Sequence, residues 1–319
     1  MRLPERPVLV LDSASLYYRS FHALPEKMTA PDGRPHNAVR GFLSTVSRLV
    51  DAYAPAGVVA CWDNDWRPAW RVALVPSYKA HRVAEGADPD VEAEPETLTP
   101  QAEAIAALLE ALGIPRWGVD GYEADDVIGS VVAQSGSPCI VVSGDRDLVQ
   151  LVDGRSRLLL TVNGGMDAWP LLDPDGVRER FGVPPHRYVD LAVLRGDPSD
   201  GLPGVRGIGA KTAVSLVAAF GPLAAVLDAA RVAPVVRPMT PRLAEALLAD
   251  EDAVRRAERV ARVVTDLGLP DVATALAAEP ADETALRSLA AAWGVERQVS
   301  EVRAAIARVL GASVQTADE

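Results

Sequence analysis

Carboxylates at the ends of apolar runs are the first feature of this sequence with chemistry in it. Asp12 closes the run Pro7–Leu11, Asp63 follows Gly57–Trp62, and Asp145 follows Pro138–Ser143 after one glycine. Short apolar runs of this kind read as buried parallel strands. In an open parallel sheet the carboxyl ends of the strands border the ligand crevice, so acids far apart in sequence would converge there. Glu123, Asp125 and Asp126 open a helix, where the dipole favours anions, and Glu123 and Asp126 share a face at i, i+3. Asp145 and Asp147 flank Arg146, and Asp197 and Asp200 follow a helix that ends near Arg195. Taken singly, each acid could serve as a helix cap or a turn former. Nine together in one crevice would repel one another, and closely spaced carboxylates force pKa values up. Cations relieve that repulsion. Hard oxygen ligands suit Mg²⁺ or Mn²⁺, and two ions roughly 3.5–4 Å apart support in-line attack on a phosphodiester.

A second signal is glycine-rich: Gly204-Val205-Arg206-Gly207-Ile208-Gly209-Ala210-Lys211-Thr212. Gly207 and Gly209 permit a tight hairpin whose backbone approaches a ligand closely. The helix from Ala210 offers free N–H groups and a positive dipole end to a phosphate, with Lys211 beside them. No apolar strand directly precedes the glycines and Pro203 stands just before them, which argues against a dinucleotide-binding turn. The pattern looks like a helix-hairpin-helix grip on a nucleic-acid backbone, which positions a duplex without reading its sequence. A purely structural turn between two helices is the plainer alternative.

Other chemistries are excluded. His22, His36, His81 and His186 have no metal-ligand spacing, and Cys61 and Cys139 make neither a disulfide framework nor a four-cysteine zinc site. No Gly-x-Ser-x-Gly elbow and no Gly-x-x-x-x-Gly-Lys-Ser/Thr loop occurs.

The elements that must position these residues are legible in outline. Apolar stripes and stop signals mark helices over Asn37–Tyr53, Gln101–Leu112 and Tyr122–Ala133, alternating with the apolar runs. That alternation predicts an α/β fold around a mostly parallel sheet. From Asp173 the chain turns to short helices broken by Gly and Pro: Asp173–Phe181, His186–Leu194, Lys211–Phe220 and Pro241–Leu248. Further helices are expected at Asp252–Val264, Glu283–Leu289 and Glu301–Leu310. No apolar run reaches the ~18 residues of a membrane span, and the two cysteines suit a reduced, cytoplasmic setting.

The 319 residues carry a formal net charge of −12, which at first argues against a nucleic-acid partner. The excess is local. Residues 91–150 hold 11 acidic against 2 basic residues, whereas residues 1–90 hold 11 basic against 10 acidic. Within the first ninety, Trp66–Arg82 carries Arg67, Arg71, Lys79 and Arg82 with no acid, as suits a basic helical or arch-like element. A solvated basic helix face is the plainer reading. Asp88–Glu96, with Pro89 and Pro95, reads as a solvated, mobile acidic loop. Nine of the 44 acids are the candidate ligands above and account for nine of the twelve net charges.

Taken together, these motifs resemble the 5′ nuclease (flap endonuclease) family, most closely the bacterial 5′→3′ exonuclease domain at the N-terminus of DNA polymerase I. The residues that carry the resemblance are Asp12-Ser13-Ala14-Ser15-Leu16-Tyr17-Tyr18-Arg19, Trp62-Asp63, Ser77-Tyr78-Lys79-Ala80-His81-Arg82, Tyr122-Glu123-Ala124-Asp125-Asp126, Ser143-Gly144-Asp145-Arg146-Asp147, and Gly196-Asp197 through Gly209. The resemblance runs from about Val8 to beyond Phe220. It implies a PIN-like, mostly parallel sheet flanked by helices, with a helix-hairpin-helix (H3TH) subdomain. It implies two, or three, Mg²⁺ or Mn²⁺ ions, one held by Asp12, Asp63, Glu123, Asp125 and Asp126 and the second by Asp145, Asp147, Asp197 and Asp200. Lys79 and Arg82 would be catalytic together with Asp145 and Asp147, contacting the scissile phosphate and neutralising transition-state charge. Tyr18 would stack on the terminal base, and Arg19 and Arg71 would contact phosphates. Gly207, Gly209, Lys211 and Thr212 would grip the duplex, with a K⁺ ion held by carbonyls of Gly204, Val205 and Ile208. Ser13 stands where a glycine is common in the family, and Gly201 where an asparagine is common.

The expected domain plan is a nuclease core over residues 1–172 with a basic arch (66–98), a helix-hairpin-helix subdomain over 173–250, and helices over 251–319 that pack back on the core. The chain ends at Glu319, so a stand-alone nuclease without a polymerase is expected, a monomer in the cytoplasm at the nucleoid with no membrane partner. The implied activity is hydrolysis of DNA at 5′ flaps, nicks and single/double-strand junctions in replication and repair, with the RNA of RNA–DNA hybrids as a further substrate. Two other readings remain open: an RNA-directed nuclease of the related PIN-like fold, and a non-catalytic module that binds DNA junctions.

Overall fold

The computed structural model of the chain describes residues 5–86, 88, 91–269 and 274–315. Six strands form one sheet: β1 (Val8–Asp12), β2 (Gly57–Cys61), β3 (Arg116–Trp117), β4 (Cys139–Ser143), β5 (Ser156–Leu160) and β6 (Leu171–Leu172). Their order is β3-β2-β1-β4-β5-β6, with five strands parallel and β6 antiparallel to β5. The expected α/β, mostly parallel sheet is what the chain forms. Alternate residues feed opposite faces, as the strand period of two requires. Val8, Val10, Val59, Cys61, Cys139 and Val141 join one core, while Leu9, Leu11, Val58, Ala60, Ile140 and Val142 join the other. The runs are apolar throughout because both faces are covered.

The second of these cores is closed by α1 (Ser13–Ala23), α2 (Asn37–Tyr53), α4 (Thr99–Leu112), α12 (Glu283–Trp293) and α13 (Glu296–Gln315); α3 (Ala69–Leu74) lies between β2 and α4 in the chain. The α2 stripe of Val39, Phe42, Leu43, Val46, Leu49 and Val50 is fully buried. Gln101 caps α2 from α4, its Oε1 accepting from the Ala38 N–H at 2.7 Å. α4 stops at Gly113 in the left-handed region (φ 78°), as its sequence predicts. The other core holds α5 (Ala124–Gln134) and a helical half comprising α6 (Pro174–Phe181), α7 (Tyr188–Arg195), α8 (Ala210–Phe220), α9 (Leu223–Arg231), α10 (Pro241–Ala249) and α11 (Glu251–Ala261).

Two expectations are corrected. Trp66–Arg82 is not a solvated basic helix: α3 and a 3₁₀ turn at Ala80–Arg82 occupy it, and two of its cations, Arg71 and Lys79, are buried. The acidic stretch after it is not simply solvated. Val83 bridges to Glu92, Ala93 N–H donates to Arg82 O (2.8 Å), and Tyr18 Oη donates to Glu94. Pro89, within that stretch, lies outside the described residues. Among the described residues no single helix is long and apolar enough to cross a membrane; α8 and α9, bent by 86°, pass only as a pair, by length and composition.

Candidate active site

A cleft of about 590 Å³ opens at the carboxyl ends of β1, β2 and β4, the place that parallel-sheet geometry assigns to a ligand. Asp12, Asp63, Glu123, Asp125, Asp145, Asp147 and Asp197 line it, seven of the nine acids singled out by sequence. Each is held by local structure. Asp12 ends β1 and caps α1, its Oδ1 accepting from Ser15 N–H (3.0 Å) and its Oδ2 from Ser143 Oγ (2.5 Å). Asp63 Oδ1 accepts from Ala124 N–H at 2.9 Å, which ties β2 to the start of α5. Asp145 follows β4, and its Oδ1 accepts from Asp147 N–H at 2.7 Å. Glu123 caps α5 and accepts from Tyr78 Oη (2.9 Å) and Lys79 Nζ (3.0 Å).

Burial and mutual repulsion dominate the electrostatics. Asp12 is pushed up to about 7, first by burial and then by Asp63 and Asp145. Glu123 is pushed to about 7 by burial, against the pull of Lys79 and Arg71. Asp125 and Asp147 are raised by burial and by Asp145, and Asp200 by burial. Lys79 stays charged: burial opposes its charge, but Glu123, Tyr78, Asp200 and Asp125 together outweigh it. Its backbone is left-handed (φ 47°), a conformation that costs a non-glycine residue about 1–3 kcal/mol. Asp200 O, accepting from Lys79 N–H at 3.0 Å, helps to hold it there.

The remaining candidates divide. Asp200 is 9% exposed and outside the lining, with Arg82 Nη2 3.5 Å from its Oδ1. Asp126 does not line the cleft. It is fully buried, with both oxygens on Arg71 at 2.8 Å and Oδ1 also accepting from Val264 N–H at 2.8 Å. Arg71, expected to contact phosphate, is 2% exposed and turned inward to Asp126, Glu123 (3.2 Å) and Val260 O (3.1 Å), so it cannot reach a nucleic acid. Tyr18 and Arg19 line the cleft; Tyr18 stacks on Tyr17 at 5.4 Å, and Arg19 donates to Thr161 O, Val162 O and Gly164 O. Ser13 is buried, and among the described residues its Oγ has no hydrogen-bond partner.

Gly207 (φ 85°) forms the expected hairpin, Gly209 caps α8, and Gly207, Gly209 and Lys211 are exposed while Thr212 is half-buried. Val205 O accepts from Ile208 N–H at 3.0 Å. Gly196 and Gly204 pack backbone to backbone, where a Cβ on Gly204 would stand 2.5 Å from Gly196 N. That contact links the hairpin to Asp197. A Cβ on Gly201 would stand 2.1 Å from Ser77 O, so glycine is what lets this loop dock against Ser77.

Among the described residues, no three Asp, Glu, His or Cys side chains gather closely enough to hold an ion unaided. Mg²⁺ typically uses one or two carboxylates and keeps several waters. Sequence reasoning assigned no role to Tyr78, to Ser143 or to the cleft-lining residues Arg146 and Glu92. Ser143 and Arg146 sit inside a motif already singled out by its acids. Tyr78 had the signal of its neighbour Lys79.

The model of the 5′-3′ exonuclease N-terminal resolvase-like domain matches residues 7–182, and that of the 5′-3′ exonuclease C-terminal SAM fold matches 183–284. A 5′-3′ exonuclease of Streptomyces coelicolor is 52% identical over 291 residues, covering 90% of this chain and 96% of its own. Another, from Mycobacterium tuberculosis, is 44% identical over 314 residues, covering 94% and 98%. Among solved structures, the T5 D15 protein co-crystallised with metal ions superposes with a TM-score of 0.64 at 19% identity, covering 95% and 99%, and so shares the fold.

Proposed function

The chain belongs to the 5′-3′ exonuclease family, and from that premise we propose that it is a metal-dependent, structure-specific 5′ nuclease. It cleaves DNA phosphodiesters near the junction of single and double strands, as flap endonuclease and as 5′→3′ exonuclease, in replication and repair. The observation that carries this reading is the convergence of seven of the nine candidate acids, with Lys79, on one cleft at the strand ends. The donor set fits hard divalent cations: it is all oxygen, and Asp12 is raised to about 7 by burial and by its acidic neighbours. Asp12, Asp63, Glu123 and Asp125 would hold one Mg²⁺ or Mn²⁺, and Asp145, Asp147, Asp197 and Asp200 the other, with room in the reading for a third. Bound there, such ions supply charge stabilisation at the attacking and leaving oxygens.

The protein's own residues do the rest. Glu123 and Asp200 O fix Lys79 at the cleft wall, where its ammonium can meet charge developing on the phosphate. Arg82, a third exposed and held by Ser199 O at 3.0 Å, supplies a second cation. Tyr18 stacks on the terminal base once its hydroxyl leaves Glu94. Residues 1–172 with the arch (66–98) act as the nuclease, residues 173–250 grip the duplex through Gly207, Gly209, Lys211 and Thr212, and residues 251–319 brace the core. Carbonyls of Gly204, Val205 and Ile208 would hold K⁺. The protein works as a monomer at the nucleoid, in the cytoplasm, and also trims the RNA of hybrids. The test is one panel of labelled 5′-flap, nicked and blunt DNA and a structured RNA, with Mg²⁺ or Mn²⁺. Cutting of the flap near its junction, faster than the RNA, is expected. Preferential RNA cutting, or binding of flaps without cleavage, would replace this reading with one of the other two.

A further inference from the structure

Four cations line the cleft: Arg19, Lys79, Arg82 and Arg146. Three are already held by protein acceptors. Arg19 donates to the carbonyls of Val162 and Gly164, Lys79 to Glu123, and Arg82 to Ser199 O and Asp200. Arg146 is exposed, and among the described residues its side chain makes neither a hydrogen bond nor an ion pair. Among the described residues it forms no ion pair with its sequence neighbours Asp145 and Asp147, and Asp145 Oδ1 accepts from the Asp147 N–H. The backbone fixes its place: Arg146 O accepts from Val149 N–H at 3.0 Å, at the start of the 3₁₀ turn Asp147–Leu151 that packs against α7. From α7 the chain runs through Gly196 and Asp197 to the hairpin.

We propose that Arg146 is a phosphate-binding residue, gripping the backbone of the bound strand where it passes from the acidic cleft toward the hairpin. A guanidinium suits this because it pairs with phosphate bidentately and keeps its charge at any working pH. Its position also answers an electrostatic problem. A polyanion leaving a cleft lined by eight carboxylates needs a cation on that wall, and Arg146 is the lining cation whose donors are free among the described residues. The assignment rests on the nuclease reading above.

The test measures binding of a fluorescent 5′-flap duplex in chelator across a salt series, for the parent protein, Arg146→Ala, Arg146→Lys and Lys211→Ala, with kcat and KM in Mg²⁺ alongside. Arg146→Ala should weaken binding about tenfold, the loss of one charge-assisted contact. It should also flatten the dependence of log K on log salt by about 0.9, the share of one duplex phosphate. KM should rise while kcat stays within about twofold, and Arg146→Lys should recover most of the salt slope. If Lys211→Ala flattens the slope and Arg146→Ala does not, the nuclease reading stands and the Arg146 assignment falls. A fall in kcat with unchanged binding also overturns it, making Arg146 a support for Asp145 and Asp147. A parent protein without salt-dependent DNA binding defeats the underlying reading as well.

Discussion

Replacing Asp126 by Asn tests whether this acid belongs to the scaffold behind the cleft. Asp126 receives both Arg71 Nη1 and Nη2 at 2.8 Å and the Val264 N–H at 2.8 Å, joining α3, the start of α5 and the chain beyond α11. The pair is buried on both sides, 2% and 0% exposed. Asparagine keeps one oxygen but turns an amide donor toward the guanidinium. One charge-assisted hydrogen bond, worth about 1.5–3 kcal/mol, is lost. Arg71 keeps Glu123 at 3.2 Å, so the total should be about 3 kcal/mol, the low end for breaking a buried pair. Arg71→Met should cost more, about 5 kcal/mol, because it leaves Asp126 and Glu123 buried with Lys79 as their remaining cation. At about 2–4 °C per kcal/mol, Tm should fall by about 6–12 °C for Asp126→Asn and by more for Arg71→Met. Circular-dichroism melts in chelator measure this, with Mg²⁺ titrations on the same samples. The double variant Arg71→Met/Asp126→Leu should recover part of the loss, since an apolar pair leaves no buried charge. An Asp126→Asn protein that melts within about 2 °C of the parent yet binds Mg²⁺ more weakly would refute the reasoning and make Asp126 a ligand.

Three further outcomes follow from the same geometry. Asp12 and Glu123 have folded-state pKa values raised to about 7 from 3.8 and 4.5, so between those limits the folded chain binds more protons than the unfolded one. In chelator, stability should therefore fall as pH rises from about 4 to about 7, read as Tm, and Mg²⁺ added above pH 7 should restore it; a chelated protein that gains stability over that range contradicts the assignment. Gly201→Ala forces a Cβ to 2.1 Å from Ser77 O at φ +70°, so it should destabilise by about 1–3 kcal/mol and lower cleavage by undocking the loop that holds Lys79, measured by melts and kcat/KM. The overall salt slope of flap binding should reflect few phosphates, because several candidate cations are already engaged by the protein; a slope near that of a broadly basic binder would show a wider interface.

Most of the acids were legible because they follow an apolar run or open a helix, so strand geometry alone brings them together; Asp197 and Asp200 follow a helix instead. Lys79 and the hairpin were legible for the same local reason: motif and turn chemistry lie within a few residues. Arg71 was not. Its burial depends on Val260 O, 189 positions away, and on Asp126, and a basic stretch in sequence does not reveal which cations find an internal partner. The acidic stretch after the arch misled in the opposite sense, since Glu94 meets Tyr18 across 76 residues. Helix α1 went unread because Leu16, Tyr17 and Phe21, its buried face, sit among residues noticed for their chemistry. Strands β3 and β6, of two residues each, are too short to show any period.

The most direct test of the central claim is cleavage of a 5′-flap duplex by the parent protein and by Asp145→Ala, each with Mg²⁺ and with chelator, with binding of the same DNA measured in parallel. The account predicts that the parent cuts near the junction only with the divalent ion, and that Asp145→Ala binds the flap but does not cut it. Cleavage by the parent in chelator, or full activity of Asp145→Ala, would contradict it.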